Sequence, residues 1–172
     1  MRKFALIAVL ALVAVPAAFA DSSPSPSDQA STLCKQQRTT IGATPFKLLY
    51  GGGSNAFGRC VSKLASTVSG DKANAAKQCA AERADATFPA SHDGKTFAQF
   101  YGTGPHGNNA FGKCVSSKAK TLEDAQQKAT INAARTCKAE RNAMGPTAFT
   151  AKYGGHSNAF GKCVAKAAKA TP

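Results

Sequence analysis

Carboxylates and histidines are scarce in this 172-residue chain: nine aspartates and glutamates stand against 22 lysines and arginines, with only three histidines. Each scarcity excludes a class of chemistry. Glycoside hydrolysis needs two facing carboxylates. The repeated part of the sequence offers at most one per copy, Glu82 and Glu140, with Gln37 at the same place in the first copy. The three histidines, His92, His106 and His156, share no equivalent position, and no C-x-x-C spacing occurs. Neither a zinc site nor a haem attachment is therefore expected, and no cofactor. No repeated base lies near the serine and threonine clusters, so a nucleophilic triad has no support. Sustained alternation of apolar and polar residues is also missing, which argues against strands.

Long apolar runs are confined to the N-terminus. Arg2 and Lys3 precede an apolar stretch from Phe4 to Val15, and Ala18, Phe19 and Ala20 form an A-x-A cleavage signal. Residues 1–20 are thus expected to be a secretory signal peptide, cleaved near Ala20. The expected location is secreted, periplasmic or cell-envelope. No second stretch is long enough to span a bilayer, and no cysteine follows the cleavage site to carry a lipid anchor. Residues 21–31 hold five serines and two prolines with nothing large and apolar to bury, and are expected to form a disordered leader.

What the chain does have is a repeat. The string NAFGxC occurs at Asn55–Cys60, Asn109–Cys114 and Asn158–Cys163, each time followed by valine. The unit extends upstream to a second cysteine. An offset of 103 aligns Cys34–Lys63 with Cys137–Lys166 without a gap, and seventeen of thirty positions are identical. A middle unit from Cys79 to Cys114 keeps Arg83, Phe97, Tyr101, Asn109, Phe111 and Gly112 but carries extra residues on both sides of the Phe97–Tyr101 segment. The units span residues 32–66, 71–120 and 121–170.

Six cysteines in an exported chain point to disulfides. Two per unit favour Cys34 with Cys60, Cys79 with Cys114 and Cys137 with Cys163. The rival pattern joins neighbouring units through Cys60 with Cys79 and Cys114 with Cys137. A unit of this size lies near the limit below which a core alone is insufficient, and each bridge should add about 3 to 4 kcal/mol.

The predicted fold class is all-α: three tandem disulfide-stapled short helical units joined by alanine-rich helices. Thr121 with Asp124 looks like a capping box, so a helix of about six turns is expected from Thr121 to Gly145, matched by one from Asp71 to about Ala86. A short second helix ends at Tyr50 or Tyr153. Ser54, Asn108 or Ser157 can cap a third, which carries the second cysteine. Whether the units stack or hang as beads is left open.

The remaining candidates are charged or aromatic. Arg38, Arg83 and Arg141 each follow the first cysteine of a unit by four residues, on the face of the bridge. They either pack over the disulfide and donate to a neighbouring helix end, or contact an anion. Tyr50, Tyr101 and Tyr153 either pack inward or stack on a ligand beside the glycine loop. Arg59, Lys113 and Lys162 precede the second cysteine, and Lys63, Lys118 and Lys166 follow it, which makes three similar cationic patches. Losing Arg2 and Lys3 with the signal lowers the formal charge of +13 by only two. Such a surface attracts polyanions: a cell-wall polymer, an acidic polysaccharide or extracellular nucleic acid.

The segments CKAERNAMG, AFTAKYG and NAFGKCV of the third unit resemble those of small secreted bacterial proteins of uncharacterised function that carry cysteine-paired units. The resemblance spans nearly all of residues 34–166 and implies a secreted repeat protein, with no activity or ligand attached. The expected function is a non-enzymatic cationic binding or structural module. A membrane-active or antibacterial protein, suggested by the C-terminal KAAKA, is the second expectation, and an uncharacterised hydrolase the third.

Overall fold

The computed structural model describes residues 24–154 and 158–170. The expected signal peptide, His156 and Ser157 lie outside the described residues. All regular structure within them is helical, in eight segments.

The first helix, α1 (Pro26–Ile41), corrects the expected leader, because residues 26–31 are helical. Their polar composition hides a helix start. Ser25 Oγ accepts from the Asp28 amide at 3.2 Å, Pro26 sits in the first turn, and Asp28 places negative charge at the positive end of the helix. Ala30 is completely buried, so this turn is part of the packed body. The helix stops at Gly42, whose φ of +89° suits glycine and whose amide donates to the Arg38 carbonyl. Gly145 repeats the arrangement with Arg141.

Short α2 (Ala43–Leu49) leads through the glycine loop into α3 (Ala56–Ala84). Two more short helices follow, α4 (Phe88–Ser91) and α5 (Phe97–Tyr101), then α6 (Ala110–Met144), α7 (Pro146–Tyr153) and α8 (Ala159–Lys169). Both expected linking helices are much longer than their sequence signals indicated. Thr121 does not start a helix: its hydroxyl donates back to the Ser117 carbonyl at 3.0 Å, and Asp124 pairs with Lys120 at 2.9 Å. Nothing between Gly112 and Gly145 breaks a helix, so the end of the second unit and the start of the third are one rod of 35 residues, roughly 50 Å long. The same holds for α3, so residues 66 and 71, like 120 and 121, are not unit boundaries in the backbone. The N-cap positions are Asn55, Asn109 and Asn158 rather than Ser54, Asn108 and Ser157, and none makes a side-chain cap bond.

Three disulfides join Cys34 to Cys60, Cys79 to Cys114 and Cys137 to Cys163, the within-unit pattern. All six sulfurs belong to buried residues. The bridges bind α1 to α3, α3 to α6 and α6 to α8, so successive helices alternate in direction. Lys72 on α3 reaching the Pro24 carbonyl at 3.4 Å, and Gln126 on α6 reaching Asp71 on α3 at 3.1 Å, fix the same antiparallel order.

This alternation decides between stacking and beads. The first and third units lie side by side and share one core, with Ile41, Phe46 and Tyr50 packed in the same cluster as Ala133, Phe149, Phe160 and Val164. Phe46 and Phe149 are almost fully buried, each contributing about 1.5–3 kcal/mol by transfer from water. The middle unit keeps a separate, smaller core of Phe88, Phe97, Ala110 and its bridge at the closed end of the α3–α6 hairpin.

Candidate functional site

In each unit the residue three positions after the first cysteine receives the tyrosine hydroxyl. Tyr50 donates to Gln37 Oε1 at 2.5 Å, Tyr101 to Glu82 at 2.9 Å, and Tyr153 to Glu140 at 2.8 and 3.0 Å. The tyrosines therefore tie the short helix to the helix that starts the unit. Burial pushes the Tyr50 hydroxyl up to about 12, against the lowering effect of its bond to Gln37. Burial also works to raise Glu82, but hydrogen bonds from Lys118 and Tyr101 outweigh it and hold the carboxyl below the usual range. Glu140 is lowered by its bonds from Lys152 and Tyr153. Both carboxylates also lie 3.9 Å from a bridge sulfur, Cys114 Sγ or Cys163 Sγ. The sequence reading counted these glutamates only as the single carboxylate of each copy and missed the partnership, although the Cys+3 position and the later tyrosine recur together.

The repeated arginines behave differently from the expected structural role. Among the described residues no hydrogen bond or ion pair engages the guanidinium of Arg38, Arg83 or Arg141; it is the main-chain carbonyl of Arg38 and Arg141 that takes part in helix capping. Each arginine instead shares a surface depression with the phenylalanine of NAFG. Arg83 lies over the Phe111 ring at 5.6 Å. Arg38, Lys35 and Phe57 line a shallow depression of about 330 Å³. Arg141, Lys138 and Phe160 line one of about 410 Å³, partly roofed by Pro45 and Leu48 from the first unit. That roof explains why Phe160 is buried while Phe57 and Phe111 are half-buried. The middle unit's depression, about 450 Å³, also includes Asp85 and the ring of Phe97. The first-unit depression has no acidic side chain in its lining, and the side chains of Lys35 and Arg38 both reach solvent.

The other expected cations do not form three equal patches. Lys118 pairs with Glu82 at 2.7 Å, which cancels its charge locally. Arg59, Lys63, Lys113, Lys162 and Lys166 are exposed and make no ion pair among the described residues. Arg59 folds back over the loop, its guanidinium occupying the space a side chain on Gly51 would need. Lys162 does the same more loosely at Gly154. In the middle unit the extra loop residues fill that place, since Gly102 abuts Gly107 and the Ala98 carbonyl. Lys113 is accordingly left outside any such turn. His92 stacks on Phe88 at 3.7 Å and its Nδ1 lies 2.8 Å from the Phe88 carbonyl, a local packing role within the middle-unit insertion.

A second concave region lies where the outer units meet. Its volume is about 440 Å³, and it brings together residues far apart in sequence, including Asp71 of α3 and Glu123 of α6. No group of three or more histidine, cysteine or carboxylate side chains suited to a metal occurs among the described residues. No helix among them is long and apolar enough to cross a membrane. No family model, curated protein or solved structure matches the chain.

Proposed function

We propose that this protein works outside the cytoplasm as a non-enzymatic binding module for anionic polymers, held in shape by its three bridges. One observation carries the reading. Lys35 and Arg38 stand beside Phe57 in an exposed depression with no acidic residue in its lining, and the arginine–phenylalanine pair recurs in both other units. A guanidinium whose hydrogen-bond donors are unused and whose stem rests near an aromatic ring is prepared for a phosphate, sulfate or carboxylate group. Arg59 and Lys162 extend the positive surface over the glycine loops of the outer units. Repetition raises avidity on a polymer without new contacts.

The disulfides support an oxidising compartment, which agrees with the N-terminal export signal read from residues 1–20. A cell-wall polymer, an acidic polysaccharide and extracellular nucleic acid share the required chemistry. The membrane-active alternative has less to support it, because Phe160, Cys163 and Val164 on α8 are already buried against the rest of the protein.

The test is retention on immobilised heparin across a salt gradient. The wild-type chain should elute well after an uncharged control of the same size, and the double variant K35Q/R38Q should elute earlier than wild type. Its salt dependence should also be shallower, because fewer counterions are released. Co-elution of wild type with the uncharged control removes the proposal.

A further inference from the structure

Asp71 presents an electrostatic problem that the rest of the molecule leaves unsolved. The residue is 5% exposed, its Oδ1 accepts from Gln126 Nε2 at 3.1 Å, and its Oδ2 is buried with no hydrogen-bond partner. A buried carboxylate oxygen without a donor or counterion is costly to keep, and such groups mark a place where something else belongs. Asp71 lines the cavity between the outer units, and Glu123 lines it as well. Burial and the neighbouring Asp71 charge both push the Glu123 carboxyl up, with Lys72 opposing them only in part. Neither carboxylate has an ion pair among the described residues.

The rest of the lining is mixed, with Gln37, Tyr50, Thr67, Gln127 and Thr130 among its polar members and an apolar stretch beside them. Leu33, Leu64, Val68, Val164 and Ala168 supply that stretch, from α1, α3 and α8. A volume of about 440 Å³ falls in the range of about 300–1,000 Å³ usual for small-molecule sites, and an apolar lining with a few convergent polar groups is their usual composition. Lys63 and Lys169 also border the cavity, but both are exposed and solvated, so they do not need a counter-charge from a ligand. The desolvated group is the carboxylate, and that fixes the sign of the missing partner.

We infer that the cavity between the first and third units binds a small amphiphile with an ammonium head, its head beside Asp71 and Glu123 and its apolar body along Leu33, Leu64, Val68 and Val164. This site is distinct from the basic depressions: it is a concave region with a buried, unpaired carboxylate in its wall, formed where the outer units pack together.

Isothermal calorimetry with n-octylammonium, octanoate and octanol tests it on the full disulfide-bonded chain. Octylammonium should bind one per chain, with octanol weaker by tenfold or more and octanoate not detectable. Asp71→Asn keeps the size and the acceptor for Gln126 but removes the charge, and should weaken octylammonium at least tenfold. Glu123→Gln should weaken it as well, and provides the comparison if the first variant fails to fold. Leu64→Trp should block the cavity for octylammonium and octanol alike, leaving heparin retention unchanged. Equal binding of octylammonium to wild type and to both charge variants would overturn the inference, as would preferential binding of octanoate or no binding of octylammonium.

Discussion

Tyr153 gives its one hydroxyl proton to a carboxylate, Glu140, whereas the equivalent Tyr50 gives it to a neutral amide, Gln37. The difference follows the surroundings. Gln37 is 1% exposed and must also donate, through Nε2, to Gln127 Oε1 at 2.6 Å, while Gln127 Nε2 donates to the Leu33 carbonyl at 3.1 Å. An amide can accept on one side and donate on the other, whereas an ionised carboxylate can only accept. Glu140 is less buried and has Lys152 at 2.6 Å to balance its charge.

Gln37→Glu should therefore destabilise the chain by about 2–3 kcal/mol at neutral pH, since it removes a buried donor and adds a buried charge. Urea denaturation followed by circular dichroism measures this. Glu140→Gln should cost clearly less, because the site is partly solvated and accepts an amide oxygen equally well. Equal losses would show that burial does not discriminate the two sites.

The glycine of NAFG should respond differently in each copy. A Cβ on Gly58 would lie 2.5 Å from Asn55 Oδ1, and one on Gly161 would lie 2.7 Å from Asn158 Oδ1 and 3.2 Å from the Leu49 carbonyl. At Gly112 nothing lies within 4 Å, because Asn109 has turned away to bond Thr103. Gly112→Ala should thus stabilise by about 0.5–1 kcal/mol through helix propensity. Gly161→Ala should destabilise, since a main-chain oxygen of α2 cannot move aside as a side chain can, and Gly58→Ala should fall between them. Thermal unfolding of the three variants gives the order directly.

Stability should fall at both ends of the pH range. Glu82 and Glu140 are held below their ordinary values, so their contribution is complete above the unfolded value of about 4.3 and is lost as pH falls below it. Tyr50 is raised to about 12, so its contribution is complete below about pH 10 and is lost between 10 and 12. Lys118 and Lys152, raised by their bonds to Glu82 and Glu140, add to the alkaline loss. Tyrosinate absorbance should show one late ionisation near 12 that disappears in Tyr50→Phe, while the alkaline loss of stability shrinks without vanishing.

Removing the middle bridge should have a local effect. Cys79→Ser with Cys114→Ser should cost about 3–4 kcal/mol by chain entropy and expose the separate core around Phe88 and Phe97. The shared core of the outer units has its own two bridges. Hydrogen exchange should accelerate in residues 85–109 well before it does around Phe46 and Phe149.

Much of this architecture is legible from local spacing. Two cysteines per repeat were enough to select the bridges, and the proline and glycine signals around Gly42 and Gly145 fall where helices change. Local signals failed where two units share one helix. Thr121 and Asp124 imitate a cap inside α6, and Ser25 with Asp28 is a real cap inside a segment whose composition looked unstructured. The contact of the first unit with the third could not be read at all, because it follows from how many times the chain reverses. For the same reason Asp71 and Glu123, unremarkable in sequence, meet in the one place that neither unit forms alone.

The bridges enclose all three connections between the long helices α1, α3, α6 and α8. Residues 42–55 lie inside the ring closed by Cys34 and Cys60, 85–109 inside that of Cys79 and Cys114, and 145–158 inside that of Cys137 and Cys163. The backbone between rings, 61–78 and 115–136, is continuous helix. Proteases cut preferentially at exposed loops. A cut inside any of these rings leaves the two fragments covalently joined, so the chain can be nicked in all three units and still travel as one molecule until it meets a reductant.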